Sequence, residues 1–166
     1  MTPETSAGSA AKGQAKVARD SAALSGTWRL VGHLQEAVET GEKEYPRGRN
    51  PLGFLTYTTD GRFHVLNVPG DRQKPKGVSP TDEEALALFK GLTAYAGRYS
   101  VGDGIVTHHV EISWNESWTG TDQERRFTLD GDRLTIVNGP LFSPWDGKRI
   151  IATMTYERVP SSVLKE

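Results

Sequence analysis

The sequence predicts an all-β fold, an up-and-down antiparallel barrel of about eight strands with one short α-helix. Three observations carry this. From Leu24 onward, run after run alternates apolar and polar residues with a period of two, which marks strands with one buried face. Asp-Gly pairs (Asp60-Gly61, Asp103-Gly104, Asp130-Gly131) separate several of these runs, as tight hairpin turns require. No strand–helix–strand rhythm appears, and consecutive antiparallel strands of this number favour a barrel.

The elements follow in order. Residues 1–22 are rich in Ala, Gly, Ser and Lys and hold no aromatic residue. They have too little apolar surface to offset ordering entropy, so they are expected as a disordered or lid-like N-terminal tail, with a weak helix over Ala10–Leu24 able to cover a barrel mouth. Residues 23–160 are expected to form the barrel domain and 161–166 a polar C-terminal tail. Leu24–Val38 reads as a long first strand, and 41–50 as a polar loop closed by Pro51. Gly53–Thr59 and Arg62–Val68 form a hairpin, followed by a charged loop.

Ser79-Pro80-Thr81-Asp82 then supplies helix-start chemistry. Ala85, Leu88, Phe89, Leu92 and Tyr95 recur at helical spacing, and Gly97 is the expected stop. Arg98–Val101 begins another strand. Gly104–Leu129 reads as two long strands joined by a turn holding Trp114 and Trp118. Arg133–Asn138 and Arg149–Val159 complete the set, with a loop between them carrying Pro140, Pro144 and Trp145.

Composition narrows the function. The chain has 166 residues, no cysteine, and 20 Lys+Arg against 21 Asp+Glu, for a net charge of −1. A domain of this size needs no disulfide or metal staple. The lack of cysteine excludes thiolate nucleophiles, zinc ribbons and iron–sulfur clusters. Balanced charge argues against nucleic acid as a partner. No apolar run approaches a membrane span and no secretory-type apolar core opens the chain, so a cytoplasmic protein without a membrane partner is expected. Nucleophile elbows, Walker loops and dinucleotide fingerprints do not occur.

Gly26-Thr27-Trp28, at the start of the first long strand, resembles the Gly-x-Trp signature of lipocalins and related calycin barrels. Pro51–Gly61, Tyr95-Ala-Gly-Arg-Tyr99, Val106–Glu111, Gly120–Phe127 and Tyr156-Glu-Arg-Val159 extend the likeness. Over about Leu24–Val159 the chain is similar to the lipocalin-like domain family of small bacterial and fungal proteins. That resemblance implies a calycin-type barrel around a small-molecule cavity. It also implies that Trp28 packs across the closed end beneath Arg158, as a cation–π stack. Some lipocalin-like proteins of natural-product pathways are cofactor-independent cyclases, isomerases or dehydratases, and others only bind a ligand.

The residues themselves suggest where chemistry would sit. If the face of Val106, Val110, Ile112 and Trp114 lines the barrel, His108 points inward and His109 outward. Adjacent strand residues cannot converge on one ion, so no metal site is expected. His108 is then the acid–base candidate, with a core histidine as the alternative. Arg125 shares a face with Phe127 and Leu129 and is a candidate for holding a carboxylate or enolate, or else for a buried ion pair; Arg126 faces solvent. Tyr57 is a candidate hydroxyl donor to a ligand carbonyl, or a wall anchor. The expected ligand lining is Val106, Val110, Trp114, Trp118, Phe127, Met154, Tyr156, Tyr95 and Tyr99. His64 reads as a rim or surface residue, and His109 with Glu111 as a surface pair.

These readings converge on a cofactor-independent enzyme of isomerase, cyclase or dehydratase type. His108 would move a proton, Arg125 would stabilise negative charge and Tyr57 would orient a carbonyl of a hydrophobic metabolite from natural-product biosynthesis. A non-catalytic carrier for a small hydrophobic ligand is the alternative. No cofactor is called for, and an apolar outer strand face would permit a homodimer.

Overall fold

The computed structural model describes residues 6–143 and 146–161. Two helices, α1 (Ser6–Leu24) and α2 (Asp82–Gly91), accompany nine strands. These are β1 (Gly26–Ala37), β2 (Lys43–Glu44), β3 (Leu52–Tyr57), β4 (Arg62–Val68), β5 (Thr93–Gly102), β6 (Ile105–Ser113), β7 (Asp122–Asp130), β8 (Arg133–Phe142) and β9 (Arg149–Arg158). From β3 to β9 every strand pairs antiparallel with its sequence neighbour, and β1 pairs with both β3 and β9. Eight strands thus close an up-and-down barrel, and β2 is a two-residue addition on the edge of β1. Ser161 is all that is described of the expected C-terminal tail; Pro144, Trp145 and residues 1–5 also lie outside the described residues.

The helix boundary differs from the expectation. Thr81 caps α2 in a reciprocal capping box with Glu84, as the start chemistry predicts. The helix stops at Gly91, however, and residues 93–97, read as its last turn, belong to β5. Along β5, Tyr95, Gly97 and Tyr99 are buried and alternate with Ala94, Ala96 and Arg98. Ladder pairing with β4 and β6 on both sides outweighs the weak helical periodicity of this segment. Tyr95 and Tyr99 are therefore inward strand residues rather than the flanks of a helix–strand junction.

A second difference arises on β6. Val106, His108 and Val110 face inward as predicted, whereas Ile112 is exposed. The register shifts where Gly97 pairs with Val110 and Ala96 with Ile112, leaving Glu111 as an extra residue. Such a bulge reverses which face the following residues occupy. It requires glycine at 97, because a Cβ there would lie 2.0 Å from the His109 carbonyl oxygen. Glu111 swings outward and bonds Arg62 at 2.5 Å and Arg98 at 3.0 Å. The expected His109–Glu111 surface pair is thus not formed. His109 instead pairs with Asp122 across to β7, at 2.7 Å.

The closed end is built around Trp28, which is fully buried. Its indole N–H donates to the Leu24 carbonyl at 2.8 Å, and the Arg158 guanidinium lies 4.1 Å from the ring centre. Arg158 also donates to the Ala23 and Ser25 carbonyls at 2.7 and 2.9 Å. α1 has no basic residue in its own last turn, so a cation from β9 supplies the charge that its C-terminal carbonyls favour. The helix expected over Ala10–Leu24 as the alternative to a disordered tail is present as α1, and its last turn is fastened at the closed end of the barrel rather than over the mouth. The Gly-x-Trp motif has a local reason too. Gly26 takes φ +124°, and a Cβ there would lie 3.0 Å from the Arg158 Nη1.

Above Trp28 the lower barrel is filled solid. Leu30, Leu55, Tyr57, Phe63, Tyr99, Val106, Leu134 and Tyr156 form one buried cluster. Tyr57 and Tyr99 have ring centres 4.7 Å apart.

Replacing Arg158 by Met should lower stability by about 2 kcal/mol through lost cation–π and charge-assisted hydrogen bonds. Amide exchange across 6–24 should accelerate ahead of exchange in the strands; uniform exchange would show that Arg158 does not fasten α1. Gly97→Ala should cost about 3 kcal/mol or more in urea denaturation, because backbone must move to admit the methyl.

Candidate functional site

The open end holds the cavity. His33 on β1 lies five residues beyond Trp28, about 16 Å along an extended strand. At that level the solid core gives way to a cavity of about 570 Å³, within the range of small-molecule sites. No α1 residue is among its lining.

Its walls are aromatic and polar together. Tyr95 meets Trp118 edge-on with centroids 5.3 Å apart, and Trp118 meets Trp114 edge-on at 4.7 Å. Met154 joins them in the lining. These four belong to the expected ligand lining. The other five members, Val106, Val110, Phe127, Tyr156 and Tyr99, do not line the cavity. They lie in or against the packed core instead, because the ring-filled lower barrel leaves no hollow at their level.

Of the three candidate catalytic side chains, only Arg125 lines the cavity. It is 8% exposed. One Nη donates to its neighbour's Glu124 carbonyl at 3.1 Å and the other to the Gln123 side-chain oxygen. Tyr57 and His108 lie beneath the floor, each 1% exposed. His108 stacks on Phe63 at 4.1 Å, with the Tyr57 hydroxyl 2.8 Å from Nε2 and the Tyr95 hydroxyl 3.3 Å from Nδ1. A neutral imidazole has one donor and one acceptor nitrogen, so one tyrosine donates and the other accepts. Burial, reinforced by Arg125 and His109, holds the His108 pKa well below the ordinary histidine value. His108 therefore reaches the cavity only through Tyr95.

The polar lining residues that were not among the sequence candidates include His33, Arg47, Asn67 and Asn138. Arg47 comes from the loop between β2 and β3 and enters the mouth, donating to His33 Nδ1 at 2.5 Å and to the Thr93 hydroxyl. A guanidinium only donates, so Nδ1 of His33 must carry the lone pair and the ring is neutral with its proton on Nε2. Burial first, then the Arg47 charge, lower the His33 pKa to about 3. Asn67 donates to the Tyr156 hydroxyl at 3.2 Å.

Five buried side-chain polar atoms lack a hydrogen-bond partner among the described residues: Arg47 Nε, Asn67 Oδ1, Trp114 Nε1, Arg125 Nε and Asn138 Oδ1. All five belong to residues that line this cavity. Buried polar groups are otherwise nearly always paired. No cluster of three or more His, Asp or Glu side chains suited to a metal occurs among the described residues, and no described helix is long and apolar enough to cross a membrane.

Comparison with known proteins gives three findings. The family model described as Lipocalin-like domain matches residues 25–159. A curated relative from Aspergillus oryzae, named 4'-hydroxy-3'-methoxypropiophenone carrier protein ppsC, is 37% identical over 67 residues, 36% of this chain. The chain spans 60% of that relative's length. Among solved structures, a lipocalin-like protein from Bacteroides uniformis has a TM-score of 0.42 at 15% identity, covering 82% of this chain and 98% of that one. A redesigned beta barrel has a TM-score of 0.42 at 14% identity, covering 86% and 96%.

Two outcomes follow from the buried histidines. Unfolded His33 binds a proton near pH 6.5, and folded His33 does so only near pH 3. Between these values the unfolded chain holds more protons, so stability falls as pH drops through that window, by up to about 5 kcal/mol from this group. His108 acts in the same direction. The urea midpoint should therefore fall from pH 7 to pH 4, and His33→Gln, which keeps an acceptor for Arg47, should recover part of the loss. His108→Leu strands the Tyr57 and Tyr95 hydroxyls and should cost about 3 kcal/mol at pH 7; an unchanged urea midpoint would refute the structural role.

Proposed function

The chain belongs to the lipocalin-like domain family, and on that premise we propose that it binds and carries a small hydrophobic molecule with polar substituents, held in the barrel mouth and released unchanged. The observation that carries this reading is the coincidence of the cavity with the five unpartnered polar atoms. A wall left unsatisfied within the protein is costly, and a ligand with matching groups relieves that cost. The aromatic rail of Tyr95, Trp118 and Trp114 suits a flat ring. The relative's name supports the same class, since it specifies carriage of an aryl ketone. A place in natural-product metabolism accords with that likeness. The carrier reading is favoured over catalysis because both histidines near the cavity are held neutral by burial and one of them lies behind the floor.

One observation favours the enzymatic reading. The Tyr95 hydroxyl belongs to a lining residue and is hydrogen-bonded through His108 to Tyr57. Such a chain would take an α-proton from a bound carbonyl compound onto the Tyr95 oxygen as Tyr95 passes its own proton to His108. Arg125 would stabilise the enolate so formed, and return of the proton to another carbon would complete an isomerisation.

Titrating 4'-hydroxy-3'-methoxypropiophenone against tryptophan fluorescence should give saturable quenching with a micromolar Kd, and Trp114→Ala or Trp118→Ala should weaken it about tenfold. Absence of saturable quenching by this ketone and by a panel of related aryl ketones would refute the carrier reading. The bound ketone should keep its α-protons in deuterated water; protein-dependent exchange, lost in Tyr95→Phe, would replace carriage with catalysis.

A further inference from the structure

Two guanidinium groups enter this cavity without a counter-ion among the described residues. Arg125 bonds only a backbone carbonyl and an amide oxygen. Arg47 bonds only a neutral imidazole and a hydroxyl. Neither forms a salt bridge with a described carboxylate, and in both Nε is buried without an acceptor. Two acidic residues, Asp122 and Glu124, are among the lining, but both are exposed and Asp122 is already paired with His109. Both cations line the same cavity. Burial also lowers the Arg47 pKa, as expected of a cation removed from water.

Buried charge is normally paired, because an unpaired ion loses its hydration without recompense. A pair of arginines around one hollow is therefore an arrangement that awaits negative charge. Resting on the reading of the cavity as a ligand site, we propose that the molecule it takes is a hydrophobic carboxylic acid, bound as its anion between Arg47 and Arg125 with its apolar body against Trp114 and Trp118. The planar carboxylate matches the donor fork of a guanidinium, which a point-like dipole such as a ketone oxygen does not. Asn67 and Asn138, each with an unpartnered side-chain oxygen, would accept from hydroxyl groups on the same molecule. Ligand charge would then decide affinity, and the ring or chain would decide fit.

The test is isothermal titration at pH 7.5 with two matched pairs: 3-(4-hydroxyphenyl)propanoic acid and its methyl ester, and decanoic acid and its methyl ester. In at least one pair the acid should bind tenfold or more tighter than the ester. Arg47→Met, Arg125→Met and the double variant should erode that preference stepwise to none. Without ligand, each single variant should melt at the wild-type temperature or above it, since an uncompensated buried cation has been removed. An ester equal to or tighter than its acid in both pairs overturns the charge assignment and leaves the ligand site standing. Failure of all four compounds to bind overturns both. A drop of more than about 5 °C in the ligand-free variants would make the arginines structural and overturn the proposal as well.

Discussion

The contact on which the molecule depends is the Arg158 guanidinium lying over the Trp28 indole. One side chain does three things there. It covers the barrel's closed end, it neutralises the carbonyl end of α1, and it joins the last strand to the first beyond their ladder. With that end sealed by an aromatic plug and then filled by tyrosines, Phe63 and His108, free volume is confined to the other end. The cavity is thus the remainder of a packing problem: eight strands enclose more space than the available side chains fill, and the shortfall is concentrated at the mouth.

Electrostatics then gives the mouth its character. A solid hydrophobic half-core lowers the local dielectric, so each charge beside it acts over a longer range than it would in water. His33 and His108 respond by remaining neutral. The arginines cannot respond that way, since a guanidinium keeps its proton in proteins. Positive potential therefore accumulates where the wall is also aromatic, and hydrophobic shape and charge act on the same occupant. The hydrogen-bonded trio of Tyr57, His108 and Tyr95 ties a cavity wall residue to two rings below the floor. That rigidity benefits a binding site whether or not a proton ever moves along it.

Barrel closure and strand order were legible in the sequence, because alternation and Asp-Gly turns survive as local signals, and the Trp28–Arg158 plug was implied by the resemblance that the Gly26-Thr27-Trp28 motif carries. The cavity was legible only in part. Arg125 follows from strand phase, Trp114, Trp118 and Met154 from their aromatic or thioether character, and Tyr95 was included although its segment reads as the end of a helix. His33 was missed because β1 shifts register between Leu30 and Gly32, which breaks the alternation that would have placed it. Ile112 was misplaced by the same kind of event at Glu111. Asn67 follows Phe63 and Val65 on one face, and Asn138 follows Leu134 and Ile136; an amide ending an apolar face was a usable signal that went unread. Arg47 had none, since a loop residue carries no periodicity. The depth to which aromatic side chains fill the lower barrel was invisible too, because it depends on volume summed over all eight strands.

The position of Arg47 on a connecting loop separates two properties that are often entangled. Strand closure depends on residues that never meet an occupant, while one of the mouth's two arginines sits on a segment between β2 and β3 that contributes nothing to the plug. Rewriting the seven residues between those strands would let such a scaffold retune how strongly it prefers an anionic occupant without any renegotiation of how the chain folds.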